Sequence, residues 1–205
     1  MLNLDPTLLN LLVACLFILV FGGLGFVRRE GLSIQFALEA AGLTVLLVGG
    51  TWLLGIPLNP FLFLALLYLV TMRSRLTVDL ANFLMRRHQP KLAFRLYQLS
   101  LAWWPDAPSR LIVLTNVGAA QVYTGQLDAA IETLEGVLSG ERGSRLGLKY
   151  EAACHYNLAY AYEKKGEAAK AIAQYNEAID AFPGSVYAKA AQAAMDRRKN
   201  QDSAD

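Results

Sequence analysis

The chain has 205 residues, 55% of them hydrophobic, and 19 Lys and Arg against 17 Asp and Glu leave a formal charge of only +2. Two cysteines give no basis for a disulfide framework, and so small a net charge, with its basic residues placed beside apolar segments, argues against a nucleic-acid reading surface.

Residues 8–27 (LLNLLVACLFILVFGGLGFV) hold one polar side chain, Asn10, and no charge, a run long enough to cross a hydrocarbon core as a helix. Nothing basic precedes it and no small-x-small cleavage site precedes Arg28, so it reads as a span rather than a signal peptide. A second span is predicted over 34–54 and a third over 56–72. Pro57 and Pro60 stand at the entry of the third, which is short and has to start near the interface or use a thinned bilayer. Arg28 and Arg29 follow the first span and Arg73 and Arg75 the third, while the N-terminal segment and the 55–60 turn have no basic residue. The positive-inside rule therefore predicts the N-terminus outside and the rest of the chain after residue 72 in the cytoplasm. Cys15 in the first span and Cys154 far along the chain suit a reducing compartment.

Glu39 is the one ionisable residue well inside a predicted span, and a carboxylate there is by default a functional hypothesis. Its depth, about 8 Å of helical rise from the span's start, favours a structural role at the interface, paired with Arg28 or Arg29. Gly22, Gly23 and Gly25, with Ala37, Ala41, Gly42, Gly49 and Gly50, offer small faces for helix packing within the bundle or against other membrane helices. Residues 73–110 then carry seven basic and two acidic side chains, which suits a membrane flank.

Beyond residue 73 the pattern changes to helical hairpins. Residues 152–185 contain two predicted helices, 152–165 and 167–181. Leu158, Ala159, Tyr162, Gly166, Ala171, Tyr175, Ala178 and Pro183 occupy the packing positions; Gly166 frees the turn and the alanines permit close approach. Val117, Gly118, Gly125, Ala130, Leu134 and Val137 fall at the same offsets over 111–142, with Gln121 at a place where Tyr is usual. Leu80, Ala81, Leu84, Ala93 and Tyr97 do so over 74–107, with His88 at the turn and Pro90 opening the second helix. Ser185 looks like the N-cap of a final capping helix, 186–199. This pattern resembles the tetratricopeptide repeat, whose period is about 34 residues. The starts at 74, 111 and 152 lie further apart, and the glycine- and charge-rich segment 140–147 is where an insertion fits.

The resemblance implies a concave groove that holds a peptide or helix of a protein partner. Its expected groove positions include Thr115, Asn116, Ala119 and Tyr123 in the middle repeat, and Tyr156, Asn157, Tyr160, Glu163 and Lys164 in the last. Asn amides pair with a peptide backbone and Tyr adds apolar area with a polar tip; the competing reading is that Tyr156 and Tyr160 pack on the neighbouring helix. Chaperone-binding members of the family clamp a terminal carboxylate with cations. Here the corresponding residues are Val78, Asn82, Asn116, Ala153 and Asn157, so the charge-assisted part is missing. His88 and His155 belong to different repeats with no metal-ligand spacing, and no phosphate loop or nucleophile motif is present, so neither cofactor nor catalytic residue is assigned. Trp103 and Trp104 close the first repeat, and a tandem pair on different helical faces suits one ring at the headgroup level.

The expected architecture is all-α: three transmembrane helices, residues 1–72, followed by a cytoplasmic repeat solenoid with a C-terminal capping helix, residues 73–205. The expected function is a membrane-anchored, non-enzymatic scaffold or assembly factor that holds a protein partner. The alternative is a non-catalytic subunit of a transporter or energy-converting membrane complex, contacting other membrane helices, with the spans as the working part and a buried Glu39 as the intramembrane functional residue in its favour.

Overall fold

The computed structural model describes residues 5–27, 33–140 and 146–202, and within them every regular element is an α-helix. Helices α1 (Pro6–Val27) and α2 (Ile34–Leu54) coincide with the first two predicted spans, and both are long and apolar enough to cross a membrane. The hydroxyl of Ser33 accepts from the Phe36 amide to cap α2, and Gly55, at φ +66°, ends it in the left-handed conformation. The three N-terminal helices meet around Ala14, Phe17, Ala40, Val48, Phe63 and Leu67. Their outer faces are covered with exposed Leu16, Leu19, Val45, Leu46 and Leu53. Helices apolar on every side suit a lipid surround.

The third span departs from expectation. Pro57 has no amide to donate, so residues 56–59 stay outside the helix. Asn59 then caps the amides of Phe61 and Leu62, and α3 runs only Pro60–Thr71. Its 12 residues rise about 18 Å, short of a hydrocarbon core of about 30 Å. The chain then bends by 71° into α4 (Arg73–Arg86), so a third crossing requires the bent pair as one unit. The glycines also differ from one expectation: a Cβ at Gly22, Gly23, Gly42, Gly49 or Gly50 would touch nothing within 4 Å, so they are not where this bundle packs closely. Arg28, Arg29 and most of the 140–147 insertion lie outside the described residues.

Three helical hairpins follow: α4 with α5 (Pro90–Ala102), α6 (Ala107–Tyr123) with α7 (Leu127–Leu138), and α8 (Leu148–Lys164) with α9 (Ala168–Ala181). Their turns are built alike, with His88, Gly125 and Gly166 at φ +57°, +81° and +79°. His88 thus adopts the left-handed turn that glycine makes in the other two repeats. Fully buried Ala81 and Ala93, Ala130, and Ala159 and Ala171 sit at the helix crossings. Helices α6 and α8 start at 107 and 148, ahead of the expected 111 and 152, and α9 starts one residue late. For α6 the reason is local: the Asp106 carboxylate accepts from the Ser109 amide and Pro108 suits the first turn. Helix α10 (Val186–Asp202) is capped by Ser185, whose hydroxyl accepts from the Ala188 amide, and it runs on past residue 199.

Helices α4, α6, α8 and α10 touch in succession, whereas α5, α7 and α9 touch only members of that first layer and not one another. A stack closer on one side than on the other curves. The first layer therefore lines the concave face.

Candidate partner-binding groove

Tyrosines tie the walls of the groove together. Tyr97 on α5 donates to Asn82 on α4 at 2.6 Å, Tyr162 on α8 to Glu135 on α7 at 2.5 Å, and Tyr175 on α9 to Glu163 on α8 at 2.5 Å. Asn82, at a clamp position, and Glu163, an expected groove residue, are thus bonded to tyrosines of the second layer. Burial pushes the Tyr97 and Tyr175 phenols well above their usual range, and Tyr162 up to about 12 by burial first and its bond to Glu135 second. These groups fold in the neutral form. Their contribution is complete below the ordinary tyrosine value of about 10 and disappears as pH rises through the folded values. The domain is therefore expected to unfold cooperatively on titration above about pH 10, with tyrosinate absorbance appearing together with the loss of helical circular dichroism. Tyrosinate appearing well before helix loss would show that these phenols are solvated.

The expected groove residues separate into two groups. Tyr123, 64% exposed, has its ring 6.4 Å from that of Tyr160, and the Lys164 ammonium lies 5.2 Å over the Tyr160 ring. This trio, from α6 and α8, is an accessible aromatic wall with a cation at its edge. Tyr156 is instead packed between Tyr175 at 5.9 Å and Tyr187 at 6.0 Å, so for it the neighbouring-helix reading is the one observed. Asn116 and Asn157 are half-buried at equivalent places one repeat apart. One N–H of the Asn116 amide already donates to the Ile112 carbonyl within its own helix, which leaves its oxygen and its second N–H for a partner. Thr115 is buried and bonded to the Leu111 carbonyl, so it does not face the groove.

Sequence reasoning passed over Tyr187. Carrying the period of about 34 residues one step beyond Ala153 leads to it, so the signal was present once α10 is treated as the first helix of a further repeat. A cavity of about 130 Å³ continues the concave face between α4 and α6, lined by Arg75, Asp79, Asn82 and Ile112 and reached by Tyr150 of α8. Val78 and Ala153, at the clamp positions, are buried and carry no charge. His155 shares a 2.7 Å hydrogen bond with Gln174, a link between α8 and α9. Burial pushes the Cys154 thiol up to about 12, which leaves it a packing group rather than a nucleophile.

Models of the tetratricopeptide repeat match residues 72–139 and 152–185. The chain carries tetratricopeptide repeats. The first match takes in α4 to α7 and the second α8 from residue 152 onward together with α9, so each of the three hairpins is matched. Such repeats serve protein–protein interaction. No curated protein matches the chain.

Glu39 stands apart from the tetratricopeptide groove. Its carboxylate accepts from the Arg73 guanidinium at 2.6 and 3.1 Å and from the Gln35 amide at 2.9 Å. Arg73 also donates to the Trp103 carbonyl at 3.1 Å, and Gln35 to the Trp104 carbonyl at 2.9 Å. The expected partners, Arg28 and Arg29, lie outside the described residues; the partner observed is Arg73. This network locks the start of α2 to the first repeat, and both charges remain partly exposed.

Proposed function

We propose that the protein is a membrane-anchored adaptor whose repeats hold a polypeptide partner in the concave groove, with Tyr123, Tyr160 and Lys164 as the principal contacts. The exposed aromatic wall carries this reading. Rigid tyrosines bury large area at low entropic cost, and two of them side by side on a concave surface are suited to an apolar or aromatic side chain of a bound segment. Asn157, and Asn116 through its oxygen and second N–H, can pair with a partner's backbone. The Glu39–Arg73 ion pair supports the role of joint over that of a proton relay, since both carboxylate oxygens are already engaged by Arg73 and Gln35.

The test is site-specific. A photo-crosslinking amino acid at Tyr123 should capture a discrete polypeptide in intact cells, while the same group at exposed Asn176 on α9 should not. Equal capture from both places would reject the groove. We further propose that the N-terminus is outside and the repeats cytoplasmic. A reporter fused after Asp205 should then be active in the cytoplasm, and the repeats should resist protease in right-side-out vesicles; digestion there would reverse the orientation.

A further inference from the structure

Leu76, on α4, packs against the core of the N-terminal bundle. Leu80 and Phe83 follow it by four and seven residues and so share its face, opposite the side that Val78 and Ala81 turn into the repeat core. Both are exposed. Leu92 and Leu99 on α5, with Trp103 at its C-cap, form a second exposed stripe at helical spacing, while Ala93 and Tyr97 enter the core. The outer face of a terminal repeat is normally polar, because nothing stacks on it. Here it is apolar, and it begins where the candidate membrane helices end.

Three further features bear on what covers it. The 71° bend after α3 turns α4 away from the direction of the apolar bundle. Trp103 and Trp104, 44% and 82% exposed, are held beside the first turns of α2 by the bonds from Arg73 and Gln35 to their carbonyls. Trp104 keeps a left-handed backbone, φ +50°, unusual for a bulky residue. Exposed Arg86, Arg87, Lys91 and Arg95 surround the far end of the stripe, and over residues 73–102 six basic residues face one acid, Asp79. Apolar side chains, tryptophans at one level and a basic border are the features of a surface that rests in the headgroup region of an anionic bilayer.

We infer that the outer face of the first repeat lies on the anionic membrane surface, with Leu80, Phe83, Leu92, Leu99, Trp103 and Trp104 in the interfacial layer. The repeat is then a collar that fixes the groove's orientation relative to the membrane. This inference rests on the reading that α1 and α2 cross the bilayer, and the experiment separates the two. Three single-tryptophan forms of the full chain, retaining Trp52, Trp103 or Trp104 with the others changed to Phe, are placed in nanodiscs containing phosphatidylserine and lipid brominated at a shallow acyl position. Trp52, exposed near the far end of α2, reports the crossing. All three are expected to lose about half of their emission or more, as rings at the level of the headgroups would. Quenching of Trp52 alone overturns the collar and leaves the crossing intact; no quenching of any overturns the crossing and the collar with it. Replacing phosphatidylserine by phosphatidylcholine should reduce quenching of Trp103 and leave that of Trp52 unchanged, and equal quenching in both lipids would overturn the anionic requirement.

Discussion

Replacing Gly118 by Leu is expected to lower the melting temperature of the repeat domain by about 10 °C, the consequence of an overpacking cost near 3 kcal/mol. A Cβ at Gly118 would lie 2.5 Å from Cγ and 2.6 Å from Cδ2 of Leu134. Leu134 cannot yield, because it is fully buried in the cluster formed by Leu111, Val137 and Leu158. The contact includes the branch point of the side chain as well as its end, so even Gly118→Ala must move α6 and α7 apart. Gly136, on α7 of the same hairpin, meets nothing within 4 Å and supplies the control. Gly136→Ala should leave the melting temperature unchanged or raise it slightly, through a helix preference of about 0.5–1 kcal/mol. A Gly118→Leu domain that melts like the parent would reject the α6–α7 contact. Ala171→Leu tests the equivalent approach in the last repeat, where the fully buried alanine leaves no room and about 1–3 kcal/mol should be lost.

The second large effect is on binding. Tyr123→Ala combined with Tyr160→Ala should weaken partner binding by about 100-fold, taking each tyrosine as an anchor worth about 2 kcal/mol and allowing for shared loss. The rings touch, so the two changes are not independent. Tyr123 is exposed, and its loss should not alter thermal stability. Asn116→Ala with Asn157→Ala should cost less, about 0.5–1.5 kcal/mol for each hydrogen bond, and one of the two Asn116 N–H groups is already engaged with Ile112. Glu39→Gln should leave binding intact while loosening the joint to the first repeat. Titration of the detergent-solubilised full chain with the crosslinked partner checks all three. Undiminished affinity of the double tyrosine variant would reject the groove, whereas a loss confined to Glu39→Gln would move the function into the N-terminal helices.

The sequence by itself determined the elements whose cause is local. A charge-free apolar run defined α1 and an apolar run broken only by Glu39 defined α2, and Gly125, Gly166 and Ser185 defined turns and a cap, because backbone conformation and capping depend on a few neighbouring residues. The recurrent small residues at helix crossings disclosed the repeats for a similar reason, since Ala93, Ala130 and Ala171 each answer to one packing constraint met three times over. The third apolar helix starts later than composition predicts, because Ile56 to Leu58 continue the apolar run but Pro57 and the Asn59 cap put the helix start at Pro60. Only the tertiary structure decided which groove candidates are accessible. Tyr123 and Tyr156 look alike in the sequence, yet one lies open beside Tyr160 and the other is packed between α9 and α10. The partner of Glu39 was equally hidden, because Arg73 is 34 residues away along the chain and comes within reach only when α3 returns it to the start of α2. Contacts of that kind depend on how helices cross, and the crossing is set by many side chains at once rather than by any one segment.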